Sequence, residues 1–212
     1  MSGRHTFARL RIDPERPDPR KLQPAVDALR GGEVVIYPTD TGYAFGCALS
    51  SNRGIAELRR LKGIHAKHAK PLTMLVQTLN DMGRYGIMAN TAFRVVRRLL
   101  PGPYTMVLKA TSDVPRAMKN RASEVGMRLP DHKICNMLVD FLGEPLLTGS
   151  VTPGEEPPEL EDPADLESRY NHEIPLLIDG GHLWPEPSTV LRFDENGDIE
   201  ILRAGQGALP DW

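Results

Sequence analysis

The sequence predicts an α/β protein, because short apolar runs that are typical of strands alternate with amphipathic helices along the chain. A composition of 40% hydrophobic and 25% charged residues over 212 residues is ordinary for a globular protein, and the sequence shows no internal repeat. A chain of this length can bury a substantial core. We therefore expect a single domain that covers residues 1–212.

Helices are predicted where apolar side chains recur at a spacing of three or four residues. Asn52 and Asp131 precede two of these stretches as candidate N-caps, and glycine or proline ends three of them. The predicted helices cover Leu22 to Arg30, Asn52 to Lys62, the residues between Asn90 and Pro101, and His132 to Leu142.

Strands are predicted at short runs rich in Val, Ile and Leu, of which Pro38 closes the first. The predicted strands are Val34 to Tyr37, Thr73 to Val76, Thr105 to Leu108, Val125 to Leu129, Leu146-Leu147, Leu176 to Ile178, Thr189 to Phe193 and Ile199 to Leu202. The stretch Pro153 to Asp165 holds four prolines and many carboxylates, which is typical of a long mobile loop. It is either a lid or a solvated insertion.

The charges are distributed unevenly along the chain, although the formal net charge is only −2. Residues 53–133 contain sixteen Lys or Arg against five Asp or Glu, whereas residues 134–212 contain three against seventeen. A basic middle segment is expected of a protein that binds phosphates or nucleic acid. The alternative is that basic and acidic surfaces simply face each other within the fold.

Composition also argues against several classes of protein. Cys47 and Cys135 lie far apart and form no CxxC or His/Cys cluster, so a disulfide scaffold and a structural zinc site are not expected. No apolar run approaches the ~20 residues that span a bilayer, and residues 1–10 lack the apolar stretch of a signal peptide. We expect a cytoplasmic protein without a membrane segment, and a monomer.

Small polar groups lie beside the predicted strands, where open α/β sheets gather their ligand-binding side chains. Thr39-Asp40-Thr41-Gly42 follows one strand, and Thr148-Gly149-Ser150 follows another. Either group alone is also an ordinary turn. Arg128 lies inside a strand and needs a carboxylate partner, which could be a ligand or an Asp or Glu of the protein.

Lys62 ends a helix, and the following loop adds His65, Lys67, His68 and Lys70. This loop suits phosphate oxygens, but a solvated basic loop has the same composition. The sequence contains no Walker A motif, GxGxxG, GxSxG or HExxH pattern, so the commonest signatures of nucleotide-binding proteins, hydrolases and metalloproteases are missing.

Taken in order, these motifs resemble the YrdC-like domain of threonylcarbamoyl-AMP synthases, and more closely its YciO-type branch. The resemblance covers about residues 34–207. The matching stretches are Tyr37-Pro38-Thr39-Asp40-Thr41-Gly42-Tyr43, Leu61-Lys62-Gly63, Pro71-Leu72, Pro101-Gly102-Pro103-Tyr104-Thr105, Gly126-Met127-Arg128-Leu129-Pro130, Glu144-Pro145-Leu146-Leu147, Ser188-Thr189-Val190 and Leu202-Arg203-Ala204-Gly205.

The resemblance implies a three-layer α/β domain with a twisted mixed sheet and a basic concave groove. It also implies synthesis of threonylcarbamoyl-AMP and pyrophosphate from L-threonine, bicarbonate and ATP with Mg²⁺, for the modification of tRNA to threonylcarbamoyladenosine. No tightly bound cofactor and no protein-bound metal are implied. Such a reaction depends on positioning and charge neutralisation more than on a nucleophile of the protein.

By the same resemblance, individual residues receive expected roles. Thr39, Thr41, Tyr43, Arg128 and Ser188 would bind the amino-acid substrate, with Arg128 on its carboxylate. The nucleotide and its leaving phosphates would be contacted by Lys62, Ser150 and Arg203, with Lys62 and Ser150 as the catalytic pair.

The sequence departs from the family pattern at two positions of a tetrad. Active synthases resemble one another in a Lys-x-Arg pair and a Ser-x-Asn pair, but Ile64 and Thr152 occupy the Arg and Asn positions here. Two functions therefore remain possible interpretations. The protein is either a diverged nucleotidyltransferase or a non-catalytic protein that binds double-stranded RNA or tRNA in the same groove. A nucleotide sensor without turnover is a third possibility.

Overall fold

The structure is a computed structural model that describes residues 6–64, 72–115, 118, 123–151 and 161–209. Within these ranges the chain forms eleven strands and six helices. The strands are β1 (Ala8–Arg11), β2 (Val35–Thr39), β3 (Gly42–Ala48), β4 (Thr73–Leu75), β5 (Gly86–Ile87), β6 (Tyr104–Ala110), β7 (Glu124–Arg128), β8 (Leu146–Ser150), β9 (Leu176–Asp179), β10 (Thr189–Phe193) and β11 (Ile199–Arg203). The helices are α1 (Pro19–Arg30), α2 (Asn52–Leu61), α3 (Leu79–Tyr85), α4 (Asn90–Leu99), α5 (Lys133–Leu142) and α6 (Pro163–Tyr170).

All described strands join one mixed sheet in the order β1-β9-β2-β3-β8-β4-β7-β6-β10-β11, with β5 added beside β6. The parallel pairs are β1–β9, β2–β9, β4–β7 and β6–β10, and the remaining pairs are antiparallel. This arrangement confirms the predicted α/β class with a mixed sheet.

Helices cover both faces of the sheet and produce three layers. On one face, α1 and α5 pack side chains such as Leu22, Val26 and Leu138 against β2, β3 and β8. On the other face, the apolar sides of α2, α3, α4 and α6 meet a second core cluster that includes Phe45, Met106 and Leu191. The helical spacing of apolar residues noted in the sequence therefore marks the sides that are buried.

Most predicted elements are present, with shifted ends. Ser51, not Asn52, caps α2, because its side chain accepts a hydrogen bond from the Gly54 N–H at 2.9 Å. Helix α5 begins after His132, which makes no side-chain capping bond, so the expected Asp131 cap is wrong. Strand β2 continues through Pro38, which is tolerated because the described pairing of β2 with β9 ends at Ile36.

The end of the stretch Pro153 to Asp165 forms a strand bridge and the start of a helix, not the predicted loop. Residues 152–160 lie outside the described part of the chain, but Glu161 pairs with Leu183 in an isolated bridge and α6 begins at Pro163. Asp162 caps that helix by accepting a hydrogen bond from the Ala164 N–H at 2.7 Å. The acidic residues at the end of the stretch are therefore part of ordered structure.

Candidate functional site

Beyond β4, no described helix covers the sheet face that α1 and α5 cover elsewhere. Side chains at alternating positions of β7, β6 and β10 are partly exposed, whereas the intervening ones are buried in the opposite core. Leu75 packs in the α1/α5 core and pairs with Arg128 in register, which places Arg128 on the same side of the sheet. We call this surface the open face; its partly exposed members are Val107, Lys109, Glu124, Arg128, Val190 and Arg192.

Arg128 ends β7 and reaches the turn between β2 and β3. Its Nη1 donates to Oγ1 of Thr41 at 2.7 Å, and its Nη2 donates to Asp40 in an ion pair whose side chains are each 11% exposed. The partner that the sequence required is thus a carboxylate of the protein itself. Among the described residues, Nε of Arg128 and Oδ2 of Asp40 are buried without a hydrogen-bond partner, so the pair leaves one donor and one acceptor unused.

The turn itself is fixed by Thr39 and Gly42. Oγ1 of Thr39 donates to the carbonyl of Gly42 at 2.6 Å and accepts from the Thr41 N–H at 3.1 Å. Gly42 has a φ of 115°, and a Cβ there would lie 2.9 Å from Oε2 of Glu161 and 3.0 Å from Cβ of Pro185. Glycine is needed for both reasons, and the turn therefore presents Thr41 to Arg128 in one geometry.

Tyr43 lies next to this turn but is only 1% exposed. Its hydroxyl donates to the carbonyl of Gly181 at 2.7 Å and accepts from the Gly180 N–H at 3.0 Å. Burial raises the pKa of the phenol well above its usual value. These contacts connect β3 to the segment after β9. The substrate contact expected of Tyr43 stays a prediction.

Ser188 and Arg203 form a second polar cluster at the start of β10. Oγ of Ser188 lies 2.8 Å from Oγ1 of Thr105, and Arg203 donates two hydrogen bonds, of 3.0 and 2.8 Å, to the Ser188 carbonyl. Burial lowers the pKa of Arg203, and the positive charge of Arg128 lowers it further. The positive charge of Arg128 therefore acts on Arg203, and an anion bound near both groups would offset this repulsion.

Lys62 and Ser150 form a third contact. The Lys62 side chain passes within 3.3 to 3.5 Å of the place where a Cβ on Gly149 would lie, and its ammonium donates to the Ser150 carbonyl. The pair lies where α2 ends and β8 ends, so these two expected site residues are brought together.

Of the two departures from the family tetrad, Ile64 lies within the described part of the chain. Ile64 packs against the core on the side of the sheet that α2 covers, so this position supplies apolar contact to the fold. Thr152 lies outside the described residues, as do His65, Lys67, His68 and Lys70.

Some contributors to the site had no assigned role in the sequence. Asp40 and Thr105 lie within sequence motifs of the family, and only the folded structure shows that they contact Arg128 and Ser188. Glu161 accepts a hydrogen bond from the Tyr43 N–H across 118 positions, and no local signal marks it in the acidic stretch. Contacts of such sequence separation are visible only after folding.

The charge of the open face is mixed in the described residues. Arg192 pairs with Glu124 at 3.1 Å and with Glu200 at 2.9 Å, and Arg128 pairs with Asp40. That this face is a basic groove therefore stays a prediction. Within the described ranges, no three His, Cys, Asp or Glu side chains are grouped as metal ligands, and no helix has the length and apolarity needed to cross a membrane.

Comparison with known proteins places this geometry in a family. The family model Sua5_yciO_yrdC, described as "Telomere recombination", matches residues 27–205. Uncharacterized protein YciO of Escherichia coli is 34% identical over 92% of this chain and 94% of its own, and the crystal structure of E. coli YciO superposes with a TM-score of 0.87. Threonylcarbamoyl-AMP synthase of Mus musculus is 32% identical over 87% of this chain, which spans 66% of that enzyme.

A more distant structure shows the same fold. P. abyssi Sua5 in complex with L-threonine is 24% identical over 94% of this chain and 58% of its own, with a TM-score of 0.82. The matched region contains all three polar clusters described above. The chain belongs to the Sua5/YciO/YrdC family.

Proposed function

We propose that this protein binds an amino acid and ATP at the polar clusters of Arg128, Arg203 and Lys62 and joins them, through a carbamate, into an aminoacyl-carbamoyl adenylate, with L-threonine as the amino acid. The observation that carries the proposal is the arrangement of Arg128, which Asp40 and Thr41 hold in place while its Nε stays without a partner among the described residues. Related enzymes named threonylcarbamoyl-AMP synthase support the choice of reaction.

The amino-acid end of the proposed site lies at Arg128. A carboxylate that accepts from Nε and a neighbouring Nη hydrogen forms a forked pair, which is the strongest common hydrogen-bonded contact of a carboxylate in proteins. Thr41 and Ser188 add hydroxyl groups near this guanidinium and near Arg203. The L-threonine bound in P. abyssi Sua5 is consistent with such a site.

The nucleotide end of the proposed site contains Lys62, Ser150 and Arg203. The neutral amine of threonine attacks the carbon that bicarbonate supplies, and the amine proton leaves with the hydroxide of bicarbonate as water, which gives a carbamate. A carbamate oxygen then attacks the α-phosphorus of ATP. The bond between the α-phosphorus and the bridging oxygen breaks, and pyrophosphate leaves with that electron pair. Mg²⁺ belongs to the substrate complex, and the lysine and arginine neutralise charge that builds on the phosphates.

Ile64 makes slow turnover the expected outcome. An arginine at this position of the family pattern could donate a charge-assisted hydrogen bond worth about 1.5 to 3 kcal/mol, whereas Ile64 packs against the core. If that interaction is made only in the transition state, its absence lowers the rate by roughly one to two powers of ten.

The proposal is tested by calorimetry of ATP-Mg²⁺ binding and by pyrophosphate release with L-threonine and bicarbonate. We expect Arg128→Lys to raise the KM for threonine while leaving the affinity for ATP nearly unchanged, because lysine keeps the charge but cannot form the fork. Arg84→Lys, which makes the same change at an exposed arginine, is the matched control. Lys62→Ala should lower kcat. Release of pyrophosphate no faster than in Lys62→Ala, or no binding of ATP, would contradict the proposal.

Binding of double-stranded RNA is the second candidate, and helix α4 favours it. Arg94, Arg97 and Arg98 are exposed at positions that share one side of this helix. Such a stripe suits phosphates, and binding should weaken steeply with salt as counterions are released.

The test is filter binding of a double-stranded RNA at low and at physiological salt. Replacing Arg97 and Arg98 by Gln should weaken binding more than replacing Arg20 and Lys21, which removes the same charge from helix α1. Equal loss in the two double variants, or no retention at low salt, would count against this function.

A further inference from the structure

The segment of residues 180–188 runs from the end of β9 to the start of β10 and passes along the edge of the site. Gly180 donates to the Tyr43 hydroxyl, and Leu183 pairs with Glu161 through two backbone hydrogen bonds of 2.8 and 3.1 Å. Pro185 lies against Gly42, and Ser188 ends the segment inside the second polar cluster. We call residues 180–188 the rim segment.

Trp184 stands out in this segment because it is 66% exposed, more than any other large hydrophobic side chain of the described residues. Its neighbours on both sides are anchored, Leu183 by the bridge to Glu161 and Pro185 by its contact with Gly42. The backbone that carries the indole is therefore fixed while the indole faces solvent. A large aromatic group held in this way gives contact area at little cost in entropy when a ligand arrives.

The position of Trp184 relates it to the proposed site. The Cα of Pro185 lies 3.3 Å from the place where a Cβ on Gly42 would be, and adjacent Cα atoms are about 3.8 Å apart, so the Cα of Trp184 is within about 7 Å of that place. Gly42 directly follows Thr41, which binds Arg128. The backbone of Trp184 therefore lies beside the turn that contacts Arg128, on the segment that leads to Ser188.

We infer that Trp184 is a stacking platform for the purine base of the nucleotide, which makes it a binding residue of this site. The inference rests on the proposed function. The described cations and hydroxyls of the site suit carboxylates and phosphates, and an adenine ring needs in addition a flat apolar surface. Stacking of a base on an aromatic side chain is worth a roughly five-fold to more than hundred-fold gain in affinity.

An unpaired RNA base has the same flat face, but the surroundings of Trp184 favour the nucleotide. Trp184 is a single exposed aromatic group on the rim segment, and recognition of single strands uses several aromatic platforms along a basic track. The rim segment itself contributes His182 and Glu186 as its titratable side chains, which is no such track.

The test uses the intrinsic fluorescence of the full chain carrying Trp212→Phe, in which Trp184 is the only remaining tryptophan. We expect ATP-Mg²⁺ to quench its emission, whereas inorganic tripolyphosphate, which has the charge but no base, should bind without quenching. Calorimetry should show that Trp184→Ala weakens ATP binding about tenfold or more and leaves the affinity for tripolyphosphate unchanged. Trp184→Phe should retain ATP affinity within about threefold, and Phe93→Ala, which removes an exposed aromatic ring from α4, is the matched control.

The outcomes separate this inference from the proposed function. If ATP binds but neither quenches Trp184 nor loses affinity in Trp184→Ala, the inference is overturned and the proposed function stands. If neither ATP nor tripolyphosphate binds the unmodified protein, both fail. Quenching by a single-stranded oligonucleotide but not by ATP would also overturn the inference, because the platform would then serve RNA.

Discussion

At the scale of single residues, the ion pair between Asp40 and Arg128 links stability to the proposed function. Both side chains are 11% exposed, and each retains one buried polar atom without a partner in the described part of the chain. Charges that are this buried are costly unless they are matched. Asp40 therefore keeps Arg128 in place in the absence of a ligand, and a bound carboxylate would share the guanidinium with it.

Replacing Asp40 by Asn should destabilise the protein by about 3 kcal/mol, because a buried guanidinium would lose its countercharge. Urea unfolding measures the change in the free energy of unfolding. Asp113→Asn is the control, because its pair with Arg84 is exposed and should contribute little. Equal effects of the two substitutions would show that the Asp40 pair is no more important to the fold than a surface pair.

His132 makes stability depend on pH. Burial lowers its pKa, and this effect outweighs the opposite influence of Asp40, Glu15 and Asp131. The unfolded chain therefore takes up a proton, near the ordinary pKa of about 6.5, at a pH where the folded chain does not. The stability that neutral His132 allows is present above that pH and is lost as pH falls below it.

We expect His132→Gln to lose less stability than the unmodified protein between pH 8 and pH 5.5. Urea unfolding of both proteins across this range measures the difference. Both proteins have the same carboxylates, so the contribution of the carboxylates to the pH dependence cancels in the difference. Parallel pH profiles of the free energy of unfolding would therefore contradict the assignment to His132.

At the scale of secondary-structure elements, caps and turns decide where helices and strands end. The side chain of Ser51 bonds the Gly54 N–H, whereas Asn52 is the first residue of α2. Ser51→Ala should cost about 1 kcal/mol, and Asn52→Ala should cost far less. Thermal unfolding of the two variants tests this, and the reverse order would restore Asn52 as the cap.

The turn between β2 and β3 depends on Gly42. Gly42→Ala should destabilise the protein by roughly 1 to 3 kcal/mol, because its φ is 115° and a Cβ would press on Glu161 and Pro185. Gly83→Ala in α3 is the opposite case, since a Cβ there meets nothing within 4 Å, and it should stabilise by about 0.5 to 1 kcal/mol. Urea unfolding measures both, and a neutral Gly42→Ala would contradict the strained turn.

Some elements were predictable from local pattern and others were not. Helix α4 follows directly from the spacing of its apolar residues, and β10 from its β-branched and aromatic run. Strand β3 was missed because Gly42 and Gly46 give it the composition of a turn, and Gly46 is explained only by the Tyr37 ring that lies over it. Strand β1 was missed because its pairing with β9 joins residues about 170 positions apart.

At the scale of the whole molecule, one sheet joins the two hydrophobic cores. Strands β2 and β3 contribute side chains to the core under α1 and α5 and to the core on the other face. Because the same strands pack in both cores, loss of packing in one core would disrupt the sheet on which the other core depends. The described layers should therefore unfold together.

We expect one cooperative urea transition with the same midpoint in far-UV and near-UV circular dichroism. The near-UV signal reports tyrosines that lie in both cores, since Tyr37 belongs to one and Tyr85 and Tyr104 to the other. Different midpoints would show that the cores unfold separately.

The sequence by itself determined the α/β class, most helices and strands, the family resemblance and the set of candidate residues, because periodicity, turn residues and ordered motifs are local signals. Tertiary structure alone decided that Asp40 is the partner of Arg128, that Ile64 packs against the core and that Trp184 is exposed on a segment that packs against Gly42. These facts depend on contacts between residues far apart in the chain, where burial and pairing of charges arise only when the sheet assembles.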